Sequence, residues 1–355
     1  MDPISSSLFA SNNYTPVNYN SAIALGKSSG PIDVWKWASG YGFGTKYSAP
    51  TTSPNIGGIQ QVRFSPDGNY IAASGSSSPY VAAYPWSNST GFGTKYSDPA
   101  TTPAGPGQSL GWNTASSVLA VGHQTSPYIT AYSWSSSGFG SKFGDPSSLG
   151  MTGSEGYVSG IAFKQNDVAV LLTNYQGSTT GLHSYPWANS TGFGTKWTDP
   201  TTMLSNTQDC VFSPQNTHVA IAHKTSPYLS VYAVTNNAWG SKVSDPSTLP
   251  NGWGFAVKFN PAGTAIILGS AENSPYLHGY SWNGSSFGSK YSNPTTAMTN
   301  TCYDLAFDPN GEDIAAINNG SNAHVYKFDA STGFGSKYSN PSTGNITAYT
   351  LDFAP

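Results

Sequence analysis

Short apolar runs, broken every few residues by Gly, Pro, Ser or Asn, make up the hydrophobic pattern of this chain of 355 residues. Within the runs apolar positions alternate with small or polar ones. VRFSPDGNYIAA from Val62, CVFSPQNTHVAIA from Cys210, VKFNPAGTAIILG from Val257 and LAFDPNGEDIAAI from Leu305 each set alternating apolar residues on both sides of a Pro-containing turn. Such a pattern spells a tight hairpin, because Gly accepts the positive φ that the turn demands. A second family of runs is SPYVAAYPW from Ser78, SPYITAYSW from Ser126, SPYLSVYAV from Ser226 and SPYLHGYSW from Ser274. Its β-branched and aromatic residues alternate as a half-buried strand requires. A third is GFGTKYSDP from Gly91, which returns as GFGTKWTDP from Gly192 and GFGSKYSNP from Gly333. No stretch carries a 3.6-residue apolar period, so almost no helix is predicted.

Aligned on its second glycine, the third motif falls at Gly44, Gly93, Gly140, Gly194, Gly240, Gly288 and Gly335, with spacings between 46 and 54 residues. Periods of this length belong to propellers, solenoids and arrays. Each unit supplies four short strands: the run before the turn, the run after it, the SPY strand and GFGxKY. The prediction is an all-β, seven-bladed β-propeller of four-stranded antiparallel blades. The chain ends decide for a ring over a solenoid. YTLDFAP from Tyr349 begins an eighth unit and stops after one strand, while AIALG, IDVWKW and GFGTKYSAP between Ala22 and Pro50 supply the missing remainder. Two partial units that sum to one blade close a ring and leave no open sheet edge, whereas a linear array needs capping units. The expected organisation is an N-terminal arm over residues 1–21 and a propeller over 22–355, with blade one split between 22–50 and 349–355.

FSPDGNYIAASG followed by YVAAYPW resembles the core of a WD-repeat blade, and the resemblance covers nearly the whole chain. The sequence departs from that family where the Gly-His and Trp-Asp dipeptides should stand, since Tyr84-Pro85-Trp86 and Tyr132-Ser133-Trp134 have no Asp following. The Asp-His network that the family implies is therefore not expected. The GFG-[TS]-K-[YFW]-x-[DN]-P signature is similar to repeats of tailed-phage virion proteins.

Charged residues are only 9% of the chain and the net charge is −3, which gives nucleic acid no basic surface to bind. No run of eighteen apolar residues and no basic start before an apolar block is present, so membrane insertion and a Sec-type signal are not expected. Seven of the 14 basic residues are the repeat lysines 46, 95, 142, 196, 242, 290 and 337. They either form a ring of cations for an acidic partner or, as we expect, lay their stems on the outer strand and pair with acids such as Asp98, Asp145, Asp199 and Asp245. Tyr84/Trp86, Tyr132/Trp134, Tyr185/Trp187, Tyr280/Trp282 and Trp35/Trp37 share strand faces. They read as packing between blades in preference to glycan platforms. Cys210 and Cys302 read as buried thiols.

His123 and His223 fall at equivalent sites a whole blade or more apart, and no histidine pair has metal-ligand spacing. Neither a metal, a cofactor nor a catalytic constellation is indicated. The non-repeat acids include Glu155, Asp209, Glu272 and Asp304, of which Glu155 and Asp209 are read as connector residues that reach one face. Blade four, with SLGMTGSEGYVSG before it and NYQGSTTG within it, departs most from the repeat.

The resulting functional expectation is a non-enzymatic structural or attachment protein of a tailed-phage virion, assembled in the host cytoplasm, with glycan-binding lectin and polysaccharide-degrading enzyme as alternatives. Its arm, with Phe9, Tyr14 and Tyr19, would contact other capsid or tail proteins. Trp112, Tyr175 and Trp253, read as loop aromatics, would meet a host glycan or protein.

Overall fold

The computed structural model describes residues 17–355 apart from 29, 148, 150–155, 166–168, 176–180, 203, 236–237, 319–322 and 342–347, and no α-helix occurs among the described residues. Seven four-stranded antiparallel sheets make a seven-bladed β-propeller. The inner strands are, from blade one to blade seven, Ala348–Phe353, Ile59–Phe64, Gly107–Trp112, Tyr157–Phe163, Thr207–Phe212, Gly254–Phe259 and Cys302–Phe307. Each touches the inner strand of the next blade in cyclic order, and blade seven returns to blade one.

The ring closes as the split unit predicts. Strand Ala348–Phe353 pairs antiparallel with Ser21–Lys27, Ile23 facing Phe353 and Leu25 facing Leu351. Ser21 Oγ donates to the Ala354 carbonyl at 2.6 Å, and Ala354 N donates to the Ala22 carbonyl at 2.8 Å. The hairpin turns are also where expected: Gly68, Gly263 and Gly311 take φ of 71°, 67° and 73°, and Asn216 takes 59° in blade five. The SPY segments differ from the prediction. The strands begin three residues later, at Val81, Ile129, Leu229 and Leu277. Pro offers no N–H to a ladder, and each following Tyr takes a positive φ, 67° at Tyr80.

The recurring nine residues act as a clasp between blades. In blades two and three the first glycine of GFG takes φ of 84° and 92°, and a Cβ there would stand 3.0 Å from the Tyr47 ring and 2.7 Å from the Tyr96 ring. Those rings are the aromatic residues that follow the repeat lysine of the preceding blade. A glycine therefore serves twice, for its backbone conformation and for the ring laid against it. The motif is complementary to its own copy in the adjacent blade, which is why it must recur. Tyr47 extends the clasp by donating its hydroxyl to the Asn88 carbonyl at 2.5 Å.

In blades two to seven the tyrosine of the third strand is buried and ties its blade to the preceding connector. Tyr84 donates to the Thr52 carbonyl at 2.9 Å, Tyr132 to Thr101 at 2.7 Å, Tyr232 to Thr202 at 2.8 Å and Tyr280 to Thr248 at 2.9 Å. The neighbouring Trp86, Trp134, Trp187 and Trp282 are buried between blades, edge-on to the GFG phenylalanines. Repeat lysines take the local pairing that the sequence suggests. Lys95, Lys142, Lys196 and Lys242 bind Asp98, Asp145, Asp199 and Asp245 three residues on.

Four of the six histidines, His123, His183, His223 and His278, are buried. His123 Nε2 lies 3.0 Å from Thr130 Oγ1, His223 Nε2 lies 3.0 Å from Ser230 Oγ, and His278 Nε2 lies 3.1 Å from Ser270 Oγ. These pairs link second and third strands, and in blade six the imidazole and hydroxyl exchange strands. Burial pushes the imidazoles of His123, His183, His223 and His324 down to about 4, and that of His278 to about 3. A folded value below the unfolded one means that the unfolded chain binds more protons between the two. The imidazole contribution to stability is therefore full above about pH 6.5 and falls as the pH drops toward 4. On unfolding at pH 5 each of these imidazoles is expected to take up about one proton, and calorimetry in buffers of different ionisation enthalpy is expected to read their sum less about one proton released by the Asp352 carboxyl, which the fold raises to about 6.

Candidate functional site

An inner strand is hydrogen-bonded within its sheet on one side only, so the edge that looks toward the axis has amides and carbonyls in need of partners. Polar side chains of the preceding blade supply them. Gln61 Oε1 accepts from Leu110 N at 2.5 Å, Asp209 Oδ2 from Val257 N at 3.1 Å, and Asp304 Oδ2 from Leu351 N at 3.2 Å. Thr350 Oγ1 accepts from Val62 N at 3.2 Å and Asp352 Oδ2 from Phe64 N at 2.8 Å. Serines work the other way: Ser109 Oγ donates to the Val158 carbonyl at 2.7 Å and Ser159 Oγ to the Thr207 carbonyl at 3.1 Å.

Carboxylates in these positions draw cations to the axis. Arg63, the sole arginine of the chain, forms a two-pronged pair with Asp304 at 2.9 and 3.1 Å and also donates to the Val62 and Leu351 carbonyls. This pair reaches from blade seven to blade two across blade one, and Thr350 Oγ1 adds a bond of 2.7 Å to the same carboxylate. Lys258 of blade six binds Asp209 of blade five at 2.7 Å. Burial works against the Arg63 charge, but Asp304 and Asp352 hold its pKa above the ordinary value. Burial likewise opposes ionisation of Asp304, yet Arg63 keeps that carboxyl below its usual range. At Asp352 burial wins, and the carboxyl is pushed up to about 6 although Arg63 and Lys258 pull it down.

A cavity of about 570 Å³ opens here on the face that carries the turns between first and second strands, lined by residues of all seven blades. Its polar floor holds Arg63, Asp209, Lys258 and Asp352 with Gln61; its rim is aromatic and Pro-rich, with Trp112, Phe212, Pro214, Phe259 and Pro261. Among the described residues no group of three or more His, Cys, Asp or Glu side chains could hold a metal ion. A base that ionises near pH 6, beside two cations in a low-dielectric site, is equipped for acid–base work on an uncharged carbonyl compound.

The residues singled out from the sequence scatter. Trp112 and Asp209 reach the cavity; Trp112 ends an inner strand, where its indole N–H points to the Arg63 carbonyl at 3.4 Å. Tyr175 ends strand Ala169–Tyr175 and is not a loop residue. Trp253 is 38% exposed in the connector before Gly254–Phe259, with the Lys224 ammonium 5.1 Å from its ring. Tyr19 lies against Gly44 of its own propeller, in the place where a Cβ would stand 2.6 Å away. Phe9, Tyr14 and Glu155 fall outside the described residues, as does most of the irregular sequence of blade four. Asp209 belongs to strand Thr207–Phe212 and not to a connector. Arg63, Lys258 and Asp352 were missed altogether. All three occupy the last position but one of an inner strand, where other blades have Gly111, Ala162, Val211 and Ala306. A column-by-column comparison of the seven copies would have exposed them.

No protein-family model and no curated protein matches the chain in sequence. Solved structures establish the class by shape. The periplasmic gluconolactonase PpgL of Pseudomonas aeruginosa is similar with a TM-score of 0.72 and 12% identity, covering 94% of this chain and 99% of that one. A candidate 6-phosphogluconolactonase of Bacteroides uniformis follows at 0.70 and 11%, covering 95% and 100%. The β-propeller domain of Cps50 (Swd1) from Myceliophteria thermophila gives 0.61 and 11%, covering 84% and 90%. The chain thus has the seven-bladed architecture that its resemblance to WD repeats implied.

Neighbours named as lactonases overturn the expectation of a non-enzymatic virion protein, together with its lectin and polysaccharide-degrading alternatives. With no family model or curated protein matching, the similarity of the GFG signature to phage repeats has no support. The sequence showed no catalytic constellation because the charged departures from the repeat, Arg63, Lys258 and Asp352, lie far apart in the chain and meet at the axis.

Removing one partner of the axial ion pair leaves a buried charge uncompensated. Asp304→Ala is expected to cost about 3–5 kcal/mol in urea denaturation, against less than about 1 kcal/mol for Lys95→Ala at the half-exposed rim pair.

Proposed function

We propose that the chain is a propeller hydrolase that opens a small cyclic ester in the axial cavity. The observation that carries this reading is the Asp352 carboxyl, raised to about 6 and set beside Arg63 and Lys258 in a cavity lined by every blade. The lactonase names of the structural neighbours support the reaction class.

One Asp352 oxygen is held by the Phe64 amide, and the other has no hydrogen-bond partner among the described residues. Above its pKa the carboxylate takes a proton from water as the water oxygen adds to the ester carbonyl. The oxyanion that develops is stabilised by Lys258, two of whose donors are engaged by Asp209 and the Val257 carbonyl, so that one remains. Collapse breaks the ring C–O bond, and the departing alkoxide recovers the proton from Asp352, leaving a hydroxy acid. Arg63 acts through position: its bonds to Asp304 and Leu351 fix the backbone on which Asp352 stands.

The test is proton release on a panel of lactones. Wild-type protein is expected to accelerate opening, with kcat/KM rising through about pH 6 as Asp352 ionises. Asp352→Asn is expected to lose on the order of 100-fold or more while keeping the wild-type circular dichroism. No acceleration of any lactone over buffer would remove the reading.

A further inference from the structure

The charges of the axial cavity point to a restriction on the substrate that rests on the hydrolase reading above. We infer that the site takes an uncharged lactone and excludes one that carries a phosphate, because each of its cations is already matched by a carboxylate and a further carboxylate is left over.

Among the described residues four charged side chains line the cavity: Arg63, Asp209, Lys258 and Asp352. Arg63 is spanned by both oxygens of Asp304, and Lys258 is held by Asp209. These two pairs cancel and Asp352 remains. Lys164 stands next to Gln165 at the rim but does not line the cavity. A phosphomonoester brings a charge of about −1.5 to −2 at pH 7. It would find no unmatched cation, and it would stand near a carboxylate in surroundings that screen poorly. Arg63 could meet it only by leaving Asp304, which would strand a buried carboxylate, and the one Lys258 donor that Asp209 and the Val257 carbonyl leave is a single contact for a dianion, on an ammonium whose charge Asp209 already balances. The rest of the described wall carries no charge, and Trp112, Phe212 and Phe259 give it an apolar part. The two kinds of substrate named among the structural neighbours, gluconolactone and its 6-phosphate, are thereby separated for this chain.

The experiment compares glucono-δ-lactone with 6-phosphogluconolactone on the full chain and measures inorganic phosphate binding by calorimetry. The expected result is kcat/KM on the order of 100-fold higher for the uncharged ester and no phosphate binding at about 1 mM. Asp209→Asn, which frees Lys258, is expected to narrow the preference and to admit phosphate. Equal or faster turnover of the phosphorylated ester, or phosphate binding by wild type in that range, overturns the inference while leaving the hydrolase reading intact. If neither ester is turned over, the hydrolase reading falls, and the phosphate measurement alone decides whether the cavity excludes such anions.

Discussion

Every blade of this propeller ends at the axis in a strand with one unpaired edge, and the molecule depends on how those edges are satisfied. A barrel would close the edges on each other, but a ring of radial sheets cannot. The chain solves the problem with side chains. Gln61, Asp209, Asp304, Thr350 and Asp352 each accept from a backbone amide of the next blade, while Ser109 and Ser159 donate to its carbonyls. Three of the acceptors are carboxylates, and buried carboxylates need compensation. Arg63 and Lys258 provide it. A structural requirement of the inner edges thus gathers charge at the centre of a sparsely charged chain. The same arrangement sets Asp352 apart as the acid without a cation of its own.

Outer and inner parts of a blade carry different kinds of information. The outer clasp of glycine and aromatic ring joins equivalent blades, so it recurs with little change, at Gly42, Gly91, Gly138, Gly192 and Gly333. The inner strands share a hydrophobic frame, with an aromatic residue ending each of them, and differ at the positions that look toward the axis. Regularity outside and variation inside are both consequences of where equivalent surfaces meet.

The fold was legible in the sequence for this reason. Alternation marked the strands, the glycine spacing counted the blades, and the partial units at 22–50 and 349–355 gave the closure that the pairing of Ile23 with Phe353 displays. The site was not legible in the same way. Arg63, Lys258 and Asp352 sit in strands that read as ordinary hydrophobic runs, and they come together only because ring closure brings blades one, two and six around one axis. Asp209 and Asp304 were noticed as acids outside the repeat, but without the ring their cations could not be assigned. The loop aromatics drew attention because exposure is easily guessed, and of these only Trp112 reaches the cavity.

The most direct test of the account is a crystal structure of Asp352→Asn soaked with a lactone that its wild-type parent turns over. The account predicts the ligand on the axis, with its ester carbonyl toward Lys258 and the residue 352 side chain, and its ring against the aromatic rim. A ligand bound away from the axis, with the cavity unoccupied, would contradict it.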